Sequence, residues 1–210
     1  VSMGFGYKLG IDLPGEKRGM IPNAQFYDKA YRGSWNGLTV ISIAIGQGEV
    51  TATPLQIANL GATIANRGYF VTPHVVKEIE GEPMDSVFSE KRYTKVDKSH
   101  YDEVAQGMRM AVLGGTCRTA NMPDIEICGK TGTAQNHGKD HSAFMGFAPL
   151  NNPKIAVAVY VENGGWGATY GVPIGKLIIE KYIKGKLSPD DELLATDIQT
   201  RRIDYGIHER

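Results

Sequence analysis

The spacing of apolar and polar residues changes along the chain, and each change predicts a different kind of element. Glycines and prolines recur through the first fifty residues, which predicts loops and short extended pieces that end in a turn at residues 46–48. A helix is predicted over residues 54–66, because Thr53 suits the N-cap and Pro54 the first helical position. This helix is apolar on every side, so we expect it to be buried.

A second helix and three strands follow. Residues 69–80 are typical of an extended stretch. The helix is predicted over residues 98–113, where Val104, Met108 and Val112 recur every four positions ahead of a double glycine. Three strand-like runs then read IEICGKTGTAQ, SAFMGFAPL and KIAVAVYVEN. Their short connections predict neighbouring antiparallel strands.

The end of the chain predicts one more helix and a charged tail. Residues 173–183 carry an apolar stripe, whose members are Ile174, Leu177, Ile178 and Tyr182. Residues 188–210 are rich in charge, and we expect a peripheral and partly helical tail there, beside one unit over residues 1–187. Helices first, then a three-stranded antiparallel sheet and a closing helix, predict an α+β fold with the sheet flanked by helices.

The composition excludes several classes of function. Lys and Arg number 23, as do Asp and Glu, so the formal net charge is zero, which argues against a nucleic-acid binder or a polybasic membrane-surface module. The 41% hydrophobic content is enough to bury a core. No apolar run approaches the ~20 residues that a membrane helix needs. The opening letters VSMGFGYKLG match neither a signal peptide nor an initiator sequence, so we expect a chain cut at its beginning.

The two cysteines, Cys117 and Cys128, do not predict a metal or redox site. Their separation fits neither a CxxC pair nor a zinc knuckle. His137 and His141 follow, and the four residues together mimic a zinc set only loosely. We interpret the cysteines as small buried thiols and predict no metal, while a disulfide between them is left open.

The segment K-T-G-T at residues 130–133 has the most chemical content. On a strand, Thr131 and Thr133 share one face, where two hydroxyls can grip a carboxylate. Lys130 adds positive potential, and Gly132 lets another backbone lie close. At a sheet edge, the free N–H and C=O groups can pair with an extended peptide, and the Thr133 N–H can serve as an oxyanion donor. An ordinary exposed strand is the competing interpretation, and the four letters by themselves favour it.

The motifs around K-T-G-T favour a functional strand over an ordinary exposed one. The motifs read, in chain order, GFGYKLGIDLPGE, W-N-G-L-T with IGQG, TPLQIANLGATIANRG, GKTGTAQ, HSAFMGFAP and PKIAVAVYVENGG. Together they resemble a class B penicillin-binding protein of the elongation type, a D,D-transpeptidase that crosslinks peptidoglycan. The resemblance covers about residues 4–184. It implies the β-lactamase/transpeptidase-like fold, whose five-stranded antiparallel sheet would be present here only in its C-terminal portion.

The family has three active-site elements, S-x-x-K, S-x-N and K-T-G, and this chain matches the third. Lys130, Thr131 and Gly132 fill it, and Thr133 is the hydroxyl residue that follows. No S-x-x-K occurs in the chain. The string S-W-N at residues 34–36 matches S-x-N, but it overlaps the segment that reads W-N-G-L-T, and the family's S-x-N precedes its G-F-G segment, so the match is accidental. We expect the nucleophilic serine, its lysine and the S-x-N serine upstream of this chain, which leaves the fragment inactive alone.

The resemblance implies acyl transfer in two steps. A serine attacks the D-alanyl-D-alanine carbonyl of a stem peptide and releases D-alanine, and the acyl group then passes to an amine on another stem. Here Lys130 would supply potential and assist proton movement, Thr131 and Thr133 would hold the terminal carboxylate, and the Thr133 N–H would complete the oxyanion hole. Gly132 and Gln135 complete the implied substrate-binding residues. β-Lactams mimic the substrate and would acylate the same serine.

The family also implies a location and partners. We expect the periplasmic face of the bacterial inner membrane, an anchor upstream of this chain, and membrane proteins of a cell-elongation complex as partners. No nucleic acid, metal or organic cofactor is implied. Three alternatives stay open: a non-catalytic peptide-binding or scaffold module, a β-lactam sensor, and a serine β-lactamase of the same fold.

Three features near K-T-G-T each carry two interpretations. Gln47 and its flanking glycines shape a turn or contact the substrate. Gln135 contacts the substrate or makes a turn hydrogen bond. The loop at residues 164–167 borders the cleft or is a plain connection.

Overall fold

The order of elements along the chain is helices, then a sheet, then helices. The computed structural model describes residues 1–203 and 205. In chain order, the elements are α1 Ala24–Ala30, α2 Gly37–Ala44, α3 Pro54–Ala65, β1 Tyr69–Phe70, β2 Arg92–Tyr93, α4 Ser99–Leu113, β3 Cys128–Ala134, β4 His141–Ala148, β5 Ile155–Val161, α5 Gly171–Lys184 and α6 Pro189–Thr200. The predicted α+β class is confirmed.

The main sheet is the antiparallel meander β3-β4-β5, as predicted. Thr131 of β3 lies opposite Phe144 of β4, and Thr133 lies opposite Ser142. Within the described residues β3 pairs with β4 alone, so its other edge is free. A free edge leaves alternate N–H and C=O groups unpaired and pointing outward.

Helices cover both faces of this sheet. On one face, α3 and α4 pack over a cluster whose members are Ile64, Ala65, Tyr101, Ala105, Met108, Cys128, Phe147 and Leu150. On the other face, α5 packs over a cluster that includes Cys117, Ile127, Phe144, Val157, Val172 and Ile179. Because strand side chains alternate, adjacent residues such as Phe144 and Met145 serve opposite layers. The sheet is therefore held from both sides, with the edge of β3 at its border.

The expectation of loops and extended pieces through the first fifty residues is wrong in two places, where α1 and α2 form. Each helix starts at an asparagine: Asn23 Oδ1 accepts from the Phe26 N–H at 2.9 Å, and Asn36 Oδ1 accepts from the Leu38 N–H at 2.9 Å. The caps outweigh the β-branched residues of α2, which alone favour a strand. The helix leaves large apolar side chains in solvent, and Leu38 is 74% exposed.

The predicted helices at residues 54–66 and 98–113 are confirmed as α3 and α4. Thr53 and Gln56 form a complete capping box at the start of α3. In α4, Met108 and Val112 are buried as the periodicity indicates, but Val104 is 46% exposed. The predicted extended stretch at residues 69–80 reduces to the two-residue strand β1, and most of the remainder is irregular.

The last helix is confirmed as α5, but its buried face is not the predicted one. Ile178 and Tyr182 of the predicted stripe are exposed, whereas Val172 and Ile179 are buried. The reason is the small residue Gly175, which faces Phe144 of β4 so closely that an added Cβ would overlap the ring. A stripe of large apolar residues does not reveal a face selected for a small one.

The beginning of the predicted tail forms α6 and docks on α5. Lys176 Nζ of α5 lies 2.6 Å from Asp191 Oδ1 of α6, and the Asp191 side chain is 4% exposed. Arg201 donates from Nη1 to the carbonyl of Thr169 at 3.0 Å. Residues 204 and 206–210 of the predicted tail lie outside the described residues, and the division at residue 188 stays a prediction. No helix in the described part of the chain is both long and apolar enough to cross a membrane.

Candidate active site

The K-T-G-T segment lies on the free edge of β3, with Lys130 and Thr133 exposed. Thr131 and Thr133 are two residues apart, so their backbone carbonyls point the same way, outward from the sheet. Lys130 Nζ donates to the Thr131 carbonyl oxygen at 2.7 Å. The ammonium group is thus held beside the outward edge, where it adds positive potential.

The Thr131 hydroxyl has a partner that the sequence did not indicate. Its Oγ1 lies 2.8 Å from Oγ1 of Thr116, which follows the double glycine that ends α4. Two hydroxyls so close leave one of them free to donate outward, since each can both donate and accept. Thr116 is therefore part of the site by geometry. Its only sequence signal is a hydroxyl residue directly after a helix stop.

The loop between β5 and α5 borders the same strand. The Gly167 N–H donates to Thr133 Oγ1 at 3.4 Å. A Cβ on Gly167 would lie 2.6 Å from the Gly132 carbonyl oxygen and 3.0 Å from Thr131 Cβ, so only glycine fits. Thr131 and Thr133 thus face the same loop, as the alternation of side chains predicts. The loop therefore contacts the K-T-G-T strand, and its role as the border of a substrate cleft stays a prediction.

A buried serine fixes that loop in place. Ser142 of β4 is fully buried, and its hydroxyl donates to the Trp166 carbonyl at 2.8 Å and accepts from the Gly171 N–H at 3.0 Å. His141 Nδ1 accepts from the Asn163 N–H at 2.9 Å, which ties the start of the loop to β4. Since both partners of the Ser142 hydroxyl are backbone groups, this serine is a structural residue and offers no nucleophile.

The turn before α3 reaches the K-T-G-T strand through Gln47. Its Nε2 donates to the Thr133 carbonyl oxygen at 3.1 Å. Gly46 and Gly48 on either side have φ values of 76° and 67°, a region that favours glycine. Gln47 therefore both belongs to a tight turn and contacts the candidate site. By contrast, Gln135 is exposed one residue beyond the end of β3.

Two buried cysteines stand behind the strand, and both are free thiols. Burial raises the pKa of Cys117, and the nearby Thr131 N–H and Lys130 ammonium only partly oppose this. Burial also raises the pKa of Cys128 to about 12. Both thiols stay protonated at neutral pH, so neither is an activated nucleophile. Across residues 1–203 and 205, no cluster of His, Cys, Asp and Glu is suited to hold a metal ion.

The assembled groups suit the binding of an extended peptide that ends in a carboxylate. Outward carbonyls on β3 can accept peptide N–H groups, and paired threonine hydroxyls with a lysine beside them can hold a carboxylate. The predicted Lys130, Thr131, Gly132 and Thr133 are brought together in this way. Thr116, Gly167 and Gln47 join them, and each comes from a segment far away in the sequence.

The chain is similar to known proteins over most of its length. The family model described as "Penicillin binding protein transpeptidase domain" matches residues 2–180. The chain is 39% identical over 186 residues to the peptidoglycan D,D-transpeptidase MrdA of Acinetobacter baumannii, covering 79% of this chain and 28% of that protein.

Solved structures are similar over most of the chain. The structure of Pseudomonas aeruginosa PBP2 in complex with WCK 5153 has a TM-score of 0.77 at 38% identity and covers 90% of this chain and 43% of that one. The complex of PBP2 and MreC from Helicobacter pylori has a TM-score of 0.74 at 30% identity and covers 89% and 35%. The chain thus spans less than half the length of each of these proteins.

Proposed function

Because this chain belongs to the penicillin-binding protein transpeptidase family, we propose that it forms the K-T-G side of the active site in a serine D,D-transpeptidase that crosslinks peptidoglycan stem peptides. The observation that supports this proposal is the free edge of β3, where Thr131 and Thr133 face one loop and Lys130 lies beside the outward carbonyls. The nucleophilic serine and its lysine come from sequence outside this chain, which contains no S-x-x-K. This chain alone is therefore inactive.

Each residue has a distinct role in this proposal. The hydroxyls of Thr131 and Thr133 hold the terminal carboxylate of the D-alanyl-D-alanine stem, and Thr116 orients the Thr131 hydroxyl. Lys130 supplies positive potential and assists proton movement. Gly132, in the middle of the strand, allows the substrate backbone to approach. Gln135 contacts the part of the stem peptide that precedes D-alanyl-D-alanine.

The chemical step uses the backbone of β3. The serine oxygen forms a bond to the penultimate D-alanine carbonyl carbon, and the carbonyl oxygen takes negative charge. The Thr133 N–H donates to that oxygen; one such donor stabilises the transition state by about 3 kcal/mol. The C–N bond then breaks, and D-alanine leaves with the proton that the serine gave up. An amine of a second stem next forms a bond to the acyl carbon, the bond to the serine oxygen breaks, and a proton from the amine returns to the serine. β-Lactams acylate the same serine, and their ring amide replaces the scissile peptide bond.

The relatives support a proposal for the setting in which this enzyme works. PBP2 of Helicobacter pylori was solved together with MreC, and we propose that a membrane protein of the cell-elongation machinery likewise binds the protein that contains this chain. The enzyme would work at the periplasmic face of the inner membrane, anchored by a segment outside this chain.

Acylation by a fluorescent penicillin tests the function. In the complete transpeptidase, Thr133→Val should slow acylation at least tenfold while leaving the fold intact, because valine keeps the shape but removes the hydroxyl. Thr196→Val, on the exposed face of α6, is the matched control and should acylate at the wild-type rate. This chain by itself should form no covalent adduct.

Three results would contradict the proposal. Wild-type acylation of Thr133→Val would remove Thr133 from the carboxylate site, and clear labelling of the isolated chain would show that a nucleophile is present in it. Rapid hydrolysis of the adduct by the complete protein would indicate a β-lactamase instead of a transpeptidase.

A further inference from the structure

The carbonyl of Thr133, which an extended peptide needs, is already occupied by a side chain of the same protein. Gln47 Nε2 donates to it at 3.1 Å, across 86 residues of sequence. A peptide that pairs with the edge of β3 donates its own N–H to the outward carbonyls of that strand. The Gln47 amide thus shares its acceptor, the Thr133 carbonyl oxygen, with a ligand amide.

The turn that carries Gln47 is built to present this one side chain. Gly46 and Gly48 both have positive φ values, and the Gln47 N–H donates to the Ser42 carbonyl at 3.0 Å. A Cβ on Gly48 would lie 3.2 Å from Ser42 Oγ, so the turn closes tightly on the end of α2. The backbone of the turn is therefore fixed, and the Gln47 side chain is the part that extends to β3.

The contact can open without disturbing the core. It lies at the surface, and both Gly46 and Ala134, the sequence neighbours of its two ends, line a cavity of about 300 Å³. The side chain of Gln47 can swing away by rotating its own single bonds, since the fixed turn does not have to move. Breaking one exposed neutral hydrogen bond has a small free-energy effect.

We propose that Gln47 is a specificity-determining gate of the proposed transpeptidase site, and this proposal rests on that function. A ligand that carries an amide N–H opposite Thr133 competes with the Gln47 amide for this carbonyl oxygen, whereas a ligand without that N–H binds without such competition. Stem peptides and acylamino β-lactams are of the first kind. A carbapenem, which carries a hydroxyethyl group in place of the acylamino side chain, is of the second kind.

The test compares two reagents on the complete transpeptidase. Gln47→Met keeps the length of the side chain but removes the donor, and Gln47→Ala removes the side chain. With either variant, the acylation efficiency for benzylpenicillin should rise about fivefold, the effect of one neutral hydrogen bond. The gain should lie in the half-saturating concentration, with the limiting acylation rate unchanged. The ratio of the efficiencies for benzylpenicillin and imipenem should therefore rise by about fivefold.

Mass spectrometry of quenched reactions measures the acylation efficiencies of benzylpenicillin and imipenem. Gln106→Met, on the exposed face of α4, is the matched control. An unchanged or lower efficiency for benzylpenicillin would overturn the gate, and so would equal changes for the two reagents, which indicate general damage to the turn. If neither reagent acylates the wild-type protein, the proposed function fails and the gate fails with it. If both reagents acylate the protein but the Gln47 substitutions leave the ratio of their efficiencies unaltered, the gate is overturned and the proposed function is not.

Discussion

Gly175 of α5 tests how the sheet behind the active-site strand is held. Its position faces Phe144, which is 1% exposed and lies opposite Thr131 in the neighbouring strand. A Cβ at Gly175 would overlap Cδ1 and Cε1 of the ring. The ring already fills the space that a Cβ on Gly129 or Gly146 would take, since those positions lie 2.5 Å from Cε2 and 2.6 Å from Cζ, so it has no room to move away from α5. Three glycines therefore form the socket of one phenylalanine.

Gly175→Ala should destabilise the protein by about 2 kcal/mol. Alanine in place of glycine inside a helix stabilises it by about 1 kcal/mol. Overpacking a well-filled core costs about 1–3 kcal/mol, and the upper end applies here because the ring is confined on both sides. For a chain of this length, the net loss corresponds to a Tm lower by about 4–8 °C.

The assay is thermal unfolding followed by far-ultraviolet circular dichroism. Gly107→Ala is the matched control, because it is also inside a helix and its added Cβ meets no atom within 4 Å beyond the backbone of its own helix and its chain neighbours. We expect it to raise the Tm by about 2–4 °C. In a Phe144→Leu background, Gly175→Ala should lose most of its effect, since the smaller side chain leaves room. A Gly175→Ala protein as stable as Gly107→Ala would refute the socket.

Two further predictions concern the α5–α6 contact and the buried thiols. Lys176→Met should destabilise the docking of α6 by about 3 kcal/mol, since it leaves a buried carboxylate without its positively charged partner; urea titration measures this, and an unchanged midpoint would contradict it. Burial opposes ionisation of Asp191, but its hydrogen bonds and the Lys176 ammonium lower its net pKa. The stability that the ionised Asp191 contributes is therefore present above pH 4 and is lost as the pH falls further. Cys117 and Cys128 should react with a disulfide reagent at pH 8 only as fast as the protein unfolds; rapid reaction of the native protein would place either thiol at the surface.

The elements with strong local signals were predictable from the sequence. The cap and the all-round apolar pattern at residues 54–66 predicted α3, and the change to strand-like runs predicted the β3-β4-β5 meander. The helices α1 and α2 were missed because their signal is one asparagine each, which competes with β-branched residues and nearby glycines. The helix α5 was predicted, but the face predicted to be buried was wrong, because the small size of Gly175 selects the buried face.

For the active-site strand, too, the sequence predicted the local features and missed the long-range contacts. Alternation along a strand is local, so the shared face of Thr131 and Thr133 followed from the sequence. The partners of that face are long-range: Thr116 comes from the end of α4, Gly167 from the loop after β5, and Gln47 from the turn before α3. No spacing rule links these positions, because they meet only when the helices pack on the sheet.

By itself, then, the sequence determined the α+β class, the antiparallel strands, the K-T-G-T segment and the lack of an S-x-x-K serine in this chain. These follow from periodicity, caps and letter patterns, which act over a few residues. Only the tertiary structure decided that β3 is a free edge, that Phe144 sits in a socket of glycines, and that Gln47 occupies the Thr133 carbonyl. Such contacts depend on shape and distance between segments brought together by packing, which no local pattern specifies.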